Sequence, residues 1–337
     1  YIIGFSSHFS CIFILKMAEI LILFFQFLTA HVTISKIPCA LPRADWRPFI
    51  MLQKSHSLTA TWLCLFLYSG LFTLLQEVLF PPLHLPGDLT VIVCACLAAL
   101  PILCYGARTG TCKLYPANAQ RLSILTFFYL FSLDFILNLT VSLSSPLIER
   151  ILRLLGIGLR EAPIPNGSTS PLLAFYICLL GPILEELIYR GIVLQKLLPH
   201  GTRLAIILSA VCFGLMHHDF YQGLSAFLVG IIYGFIAVRY SLMASIGLHI
   251  LNNSMATLLP MLKDSETAGP LITILIFLFA LIFALVGSIL AIRRKSSIFP
   301  ASTTFPDCPG DVLMHPMLWL VLLFDAIYLA AINFIRI

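Results

Sequence analysis

Long apolar runs joined by short basic or Pro-containing connectors decide what this chain can fold into. A helix needs roughly 20 apolar residues to cross the hydrocarbon of a bilayer, and about ten such stretches follow one another: 18–34, 58–80, 89–106, 122–145, 171–198, 204–218, 223–238, 242–260, 270–292 and 316–335. Of the 337 residues, 60% are hydrophobic and only 10% charged. The mean hydropathy is +1.00. Lipid leaves no water to satisfy the backbone, so spanning segments are helices or closed barrels. Unalternating runs of this length are helical. The expected architecture is therefore all-α, a polytopic transmembrane helical bundle of about ten spans, integral to its membrane.

Orientation follows from the lysines and arginines between the spans. With the first connector placed in the cytoplasm, 13 of the 20 basic residues collect there, including Arg108, Arg203, Arg239 and Arg293, and only 5 fall outside. Three of those five lie in "PLIERILRLLGIGLR", 146–160, whose alternation suggests an amphipathic helix on the membrane surface. The net charge of +5 is a by-product of this bias. It points to no nucleic-acid partner, since no aromatic and basic patch lies outside the spans. The ten cysteines form no C-x-x-C pair, and most sit inside apolar spans, where Cys behaves as a small hydrophobe. No basic leader with a cleavage site is expected. The first residue is Tyr, and Met17 is a plausible start.

Four regions differ in character: 1–145 holds apolar spans and basic connectors, 146–170 an amphipathic and linker segment, 171–260 nearly all the intramembrane polar groups, and 261–337 the C-terminal spans. The linker "EAPIPNGSTSP" is rich in Pro, Gly and Ser, and Asn166 starts a lone N-x-[ST] match.

The polar groups of 171–260 carry the chemistry. An ionisable residue at membrane depth is costly and marks function by default. In "GPILEELIYRG", 181–191, Glu186 and Arg190 stand at i and i+4 with the acid N-terminal, the favourable order for an ion pair on one helix face. Glu185 is turned about 100° from Glu186 and five residues from Arg190, so the arginine does not easily serve both. One carboxylate is a structural anion. The other is left free, and a desolvated carboxyl is suited to general-base work near neutral pH. Pro182 is expected to kink the helix just before the pair and to release a backbone carbonyl. A buried ion cluster that only staples helices would show the same three residues. In "FGLMHH", 213–218, Phe213 and His217 share a helix face, and in "GLHILNNS", 247–254, so do His249 and Asn253. Either pair alone reads as an interfacial histidine or an interhelical hydrogen bond. Together, on successive helices, they are expected to converge on one cavity with Glu185.

"EELIYRG", "FGLMH" and "HILNN" resemble, in order and spacing, the E-E-x-x-x-R, F-x-x-x-H and H-x-x-x-N signatures of the CPBP intramembrane proteases, the group that contains the type II CAAX prenyl endopeptidases. The resemblance covers about 171–260 and marks that region as a four-helix catalytic core. "HHDF" and "NNSMATL" look closest to bacterial members, which implies a bacterial cytoplasmic membrane. By resemblance, Glu185 and His217 activate a water, His249 and Asn253 stabilise the tetrahedral oxyanion, and Glu186, Arg190 and Phe213 support them. The implied activity is an endopeptidase that hydrolyses a peptide bond of a membrane-associated protein or peptide, prenylated or not. No cofactor is expected. The alternatives are a zinc-dependent form of the same protease, with Glu185, His217 and His249 as ligands, and a non-enzymatic membrane immunity or scaffold protein. Counted from span ends, Glu185 and His249 fall near mid-depth while His217 falls near the outer end. Among weaker signals, Gly230 and Gly234 in "GIIYG" give a small-xxx-small packing face. Asp134 and Asn138 line the same chamber or pair with a neighbouring helix. His218 and Asp219 are expected at the rim.

Overall fold

The computed structural model describes residues 46–116, 119–160, 170–262, 268–293 and 309–336. The helices are α1 (Trp46–Leu74), which runs on through a π-helical turn at Leu75–Leu79, α2 (Gly87–Thr109), α3 (Ile124–Leu154), α4 (Pro171–His200), α5 (Thr202–Leu215), α6 (Phe220–Arg239), α7 (Leu242–Leu262), α8 (Ala268–Arg293), a short α9 (Pro309–Leu313) and α10 (Pro316–Asn333). Two three-residue strands, β1 (Ile157–Leu159) and β2 (Phe334–Arg336), pair antiparallel with Ile157 opposite Arg336.

Among the described residues, six helices are long and apolar enough to cross a membrane: Ser57–Leu79, α2, α3, α4, α6 and α10. The protein is thus an all-α integral membrane bundle. The ten expected spans do not all carry over at full length. The segment 204–218 becomes α5, a helix of 14 residues and about 21 Å, too short for the roughly 30 Å of hydrocarbon. The span expected at 18–34 and the sequon at Asn166 lie outside the described residues.

The surface helix expected at 146–160 is not a separate element. α3 continues through Pro146 to Leu154. Proline removes the N–H that would serve Ser142, and the Ser145 hydroxyl takes that carbonyl instead at 2.9 Å, which is how a spanning helix tolerates a proline. The rest of the segment enters β1.

Fully buried Trp62, Leu65, Ile102, Ile188, Ile192 and Phe213 form the core between α1, α2, α4 and α5, while Ile274, Leu278, Phe279 and Ile282 of α8 are exposed, as lipid-facing residues are. Gly230 and Gly234 do bring α6 onto α5. A Cβ at Gly230 would stand 3.2 Å from the Ala210 Cβ, and one at Gly234 3.1 Å from Ile206 Cγ2. Asp134 accepts from the Tyr233 hydroxyl at 3.2 Å and Asn138 donates to Asn252 at 3.2 Å, so both pair with neighbouring helices.

Candidate active site

The paired glutamates sit in a helix whose winding changes twice. α4 is π-helical at Tyr176–Leu180 and again at Leu187–Val193, with an α-helical stretch, Gly181–Glu186, between. π turns inside α-helices gather at functional sites because they free carbonyls and re-aim side chains. Here the sequence dictates the first one's consequence. The Gly181 N–H bonds Tyr176 O, and Pro182 has no N–H to offer, so Ile177 is left with an unserved carbonyl. Asn253 of α7 donates its Nδ2 to that oxygen at 3.0 Å. The carbonyl released by Pro182 therefore anchors a residue of the H-x-x-x-N motif. In the second π turn, Tyr189 O also accepts the Ser209 hydroxyl at 2.9 Å, tying α4 to α5.

Glu186 and Arg190 form the expected ion pair, Nη1 to Oε1 at 2.9 Å, with both side chains fully buried. Ser245 donates to the other oxygen, Oε2, at 2.6 Å. With two donors already on it, the Glu186 carboxylate is an acceptor for His249 Nδ1, 3.2 Å from Oε1, which makes Nδ1 the protonated nitrogen. The opposite nitrogen, Nε2, then faces Glu185 Oε2 at 3.6 Å. The arginine fork is completed by Nη2 donating to Gly230 O at 3.1 Å, and its carbon lies 4.2 Å from the Phe213 ring centroid, a cation–π contact in a desolvated place. A side chain at position 230 would meet Nη2 at 2.9 Å, so the small residue serves the ion pair as well as helix packing.

Phe213 joins the motifs. Its ring meets His217 edge to face at 5.1 Å and His249 at 5.7 Å. Tyr233 stacks on the other side of His249 at 4.8 Å, so this imidazole is fixed by two rings and two carboxylates. Neither ring nitrogen of His217 meets a hydrogen-bond partner among the described residues.

Glu185, His217 and Asn253 line one cavity of about 320 Å³, with Tyr68, Phe72 and Tyr176 on its apolar wall. His249 stands behind Glu185, 4% exposed. The depth mismatch expected for His217 is resolved by the shortness of α5. Glu185 and His217 each lie about 15 residues from the α4–α5 turn, or about 22 Å of helix, so the antiparallel pair brings them level. His218 and Asp219 part ways: Asp219 caps α6 by accepting the Gln222 N–H at 2.8 Å, whereas His218 lines the cavity and pairs with Asp325 at 3.0 Å. Among the described residues no three His, Cys, Asp or Glu side chains are grouped so as to hold a metal ion, the trio Glu185, His217 and His249 included.

Sequence reasoning missed Ser245, Tyr233 and Asp325. Ser245 lies one turn before His249 on the same face and was legible by spacing. Asp325 is an acid inside an apolar span, legible by the rule that singled out Glu185. Tyr233 had no signal of its own.

No curated protein and no solved structure matches the chain. The motif-bearing region does match: residues 167–255, about a quarter of the chain, fit the family model described as type II CAAX prenyl endopeptidase Rce1-like, so the segment that carries Glu185, His217, His249 and Asn253 is similar to that family.

Proposed function

We propose that the protein is an intramembrane endopeptidase that hydrolyses a peptide bond in a membrane-anchored protein or peptide. The observation that carries this reading is the division of labour between adjacent acids. Glu186 is saturated by Arg190, Ser245 and His249, while Glu185 faces a cavity it shares with His217 and Asn253. A water between Glu185 and His217 gives up a proton to the carboxylate as its oxygen bonds the substrate carbonyl carbon, and His217 orients it. The negative charge that develops on the carbonyl oxygen needs donors already in place. Asn253 Nδ2 has two hydrogens, and one is spent on Ile177 O; the other serves the oxyanion. Family resemblance gives His249 to the oxyanion. Its position behind Glu185 favours a different part, in which its Nε2 receives the proton from Glu185 and returns it, by way of the same carboxylate, to the leaving amine as the C–N bond breaks.

No step in this scheme requires a metal ion. The bacterial cytoplasmic membrane is the proposed setting, on the look of "HHDF" and "NNSMATL". The test is cleavage of prenylated and unprenylated membrane-anchored peptides by purified protein in detergent. Wild type, with and without exhaustive chelation, is compared with Glu185→Gln. Cleavage that survives chelation and disappears in Glu185→Gln supports the scheme. Equal activity of Glu185→Gln and wild type refutes it, and loss on chelation restored by zinc selects the metalloprotease. No cleavage of any peptide by well-folded wild type leaves the immunity or scaffold reading.

A further inference from the structure

The last helix, outside the segment that matches the family, reaches the active site through a buried acid. Asp325 of α10 is 1% exposed. Its Oδ1 lies 3.0 Å from His218 Nε2, and Oδ2 accepts the Ser69 hydroxyl at 3.4 Å. His218 follows His217 directly and has a φ of 53°, a left-handed conformation that a non-glycine residue keeps only when its surroundings hold it there. Those surroundings are α10. Asn333 donates to His218 O at 2.7 Å and accepts the Phe220 N–H at 3.1 Å. Tyr328 meets the His218 ring at 4.6 Å. β1 and β2 pin the helix end, and Arg160 N–H extends the ladder to Asn333 O at 2.8 Å.

We propose that Asp325 and Asn333 are positioning residues that hold the His217–His218 turn in its left-handed form, so that the His217 imidazole faces the cavity, and that α10 is therefore part of the catalytic unit. The role of His217 rests on the endopeptidase reading, but its placement by α10 does not. Between Leu215 and Phe220 the chain is non-helical. α5 ends before His217, and the turn keeps only the bonds from His217 N–H to Gly214 O at 3.4 Å and from His218 N–H to Leu215 O at 3.2 Å. From outside the turn, α10 adds the Asp325 and Asn333 hydrogen bonds and the Tyr328 ring contact on His218 and Phe220.

The experiment uses full-length protein in detergent and two readouts. The first is the rate of His217 acylation by diethyl pyrocarbonate, measured by mass spectrometry relative to the exposed His84. The second is kcat and KM on a cleaved peptide. Asp325→Ala should change the relative His217 rate by about fivefold or more and lower kcat by about 10- to 100-fold, with KM within about twofold. Asp325→Asn keeps an acceptor for the His218 N–H and should recover the His217 rate and most of kcat. Should Asp325→Ala fail to fold, Asn333→Ala removes that residue's two hydrogen bonds with the turn and carries the same expectation. A His217 rate within about twofold of wild type in a folded alanine variant overturns the proposal, even if the variant melts earlier, because a merely structural contact predicts that result. If wild type cleaves nothing, the acylation arm still decides placement, and the failure belongs to the endopeptidase reading.

Discussion

Replacing Glu186 by glutamine tests the asymmetry on which the site depends. The substitution is isosteric, so it opens no cavity, and it leaves an oxygen able to accept one hydrogen bond. It removes the charge facing Arg190 at 2.9 Å, where both side chains are fully buried. Breaking a buried pair by neutralising one member costs about 3–5 kcal/mol, because the other charge is left desolvated. The hydrogen bonds add less, since the single Ser245 O–H can turn from Glu186 to Tyr233 O, which lies 3.1 Å away. At about 1.4 °C per kcal/mol for 337 residues, Glu186→Gln should lower the melting temperature by roughly 4–7 °C. Glu185→Gln is the matched control. Among the described residues the Glu185 carboxylate pairs only with His249, at 3.6 Å, and its neutralisation should move the melting temperature by no more than roughly 3 °C. The assay is thermal unfolding of both variants and wild type in one detergent at one scan rate, because membrane-protein unfolding is commonly irreversible. Equal shifts for the two variants, or an unshifted Glu186→Gln, would refute the assignment of Glu186 as the structural anion.

Asn253→Ala should lower kcat by about 10²- to 10³-fold, with KM changing much less; steady-state kinetics in detergent checks this, and a fall confined to KM would contradict an oxyanion role. Gly230→Val should destabilise by about 1–3 kcal/mol, since its Cβ would meet Arg190 Nη2 at 2.9 Å, whereas Gly247→Ala, with nothing within 4 Å of the new Cβ, should not; thermal melts compare the two. Single cysteines at 200–203 in a Cys-depleted background should react only with cytoplasmic-side reagent, as the basic connectors predict; labelling from the opposite face would invert the topology.

Features that depend on one helix's own spacing are legible in the amino-acid sequence alone. Apolar runs of spanning length leave no alternative to helices in lipid. Glu186 and Arg190 pair because four residues make one helical turn, and the proline at 182 must release a carbonyl because it lacks an N–H. The small residues at 230 and 234 mark a close helix contact for the same local reason. Span lengths are less legible. Hydropathy does not register where a turn cuts a helix short, so α5 reads as a full span, and the serine that carries α3 past Pro146 removes an expected boundary.

Tertiary structure decided every partnership across helices. Nothing in the spacing says that Asn253 will take the Ile177 carbonyl, 76 residues away, that His249 will bridge the two adjacent glutamates, or that Asp325 will meet His218 across 107 residues. Those contacts depend on the depth and crossing of neighbouring helices, which no single helix encodes. The residues able to do the chemistry are visible in the sequence because lipid makes polar groups conspicuous. Their proposed assignment to an anion, a base and a donor rests on which groups the packing has already satisfied.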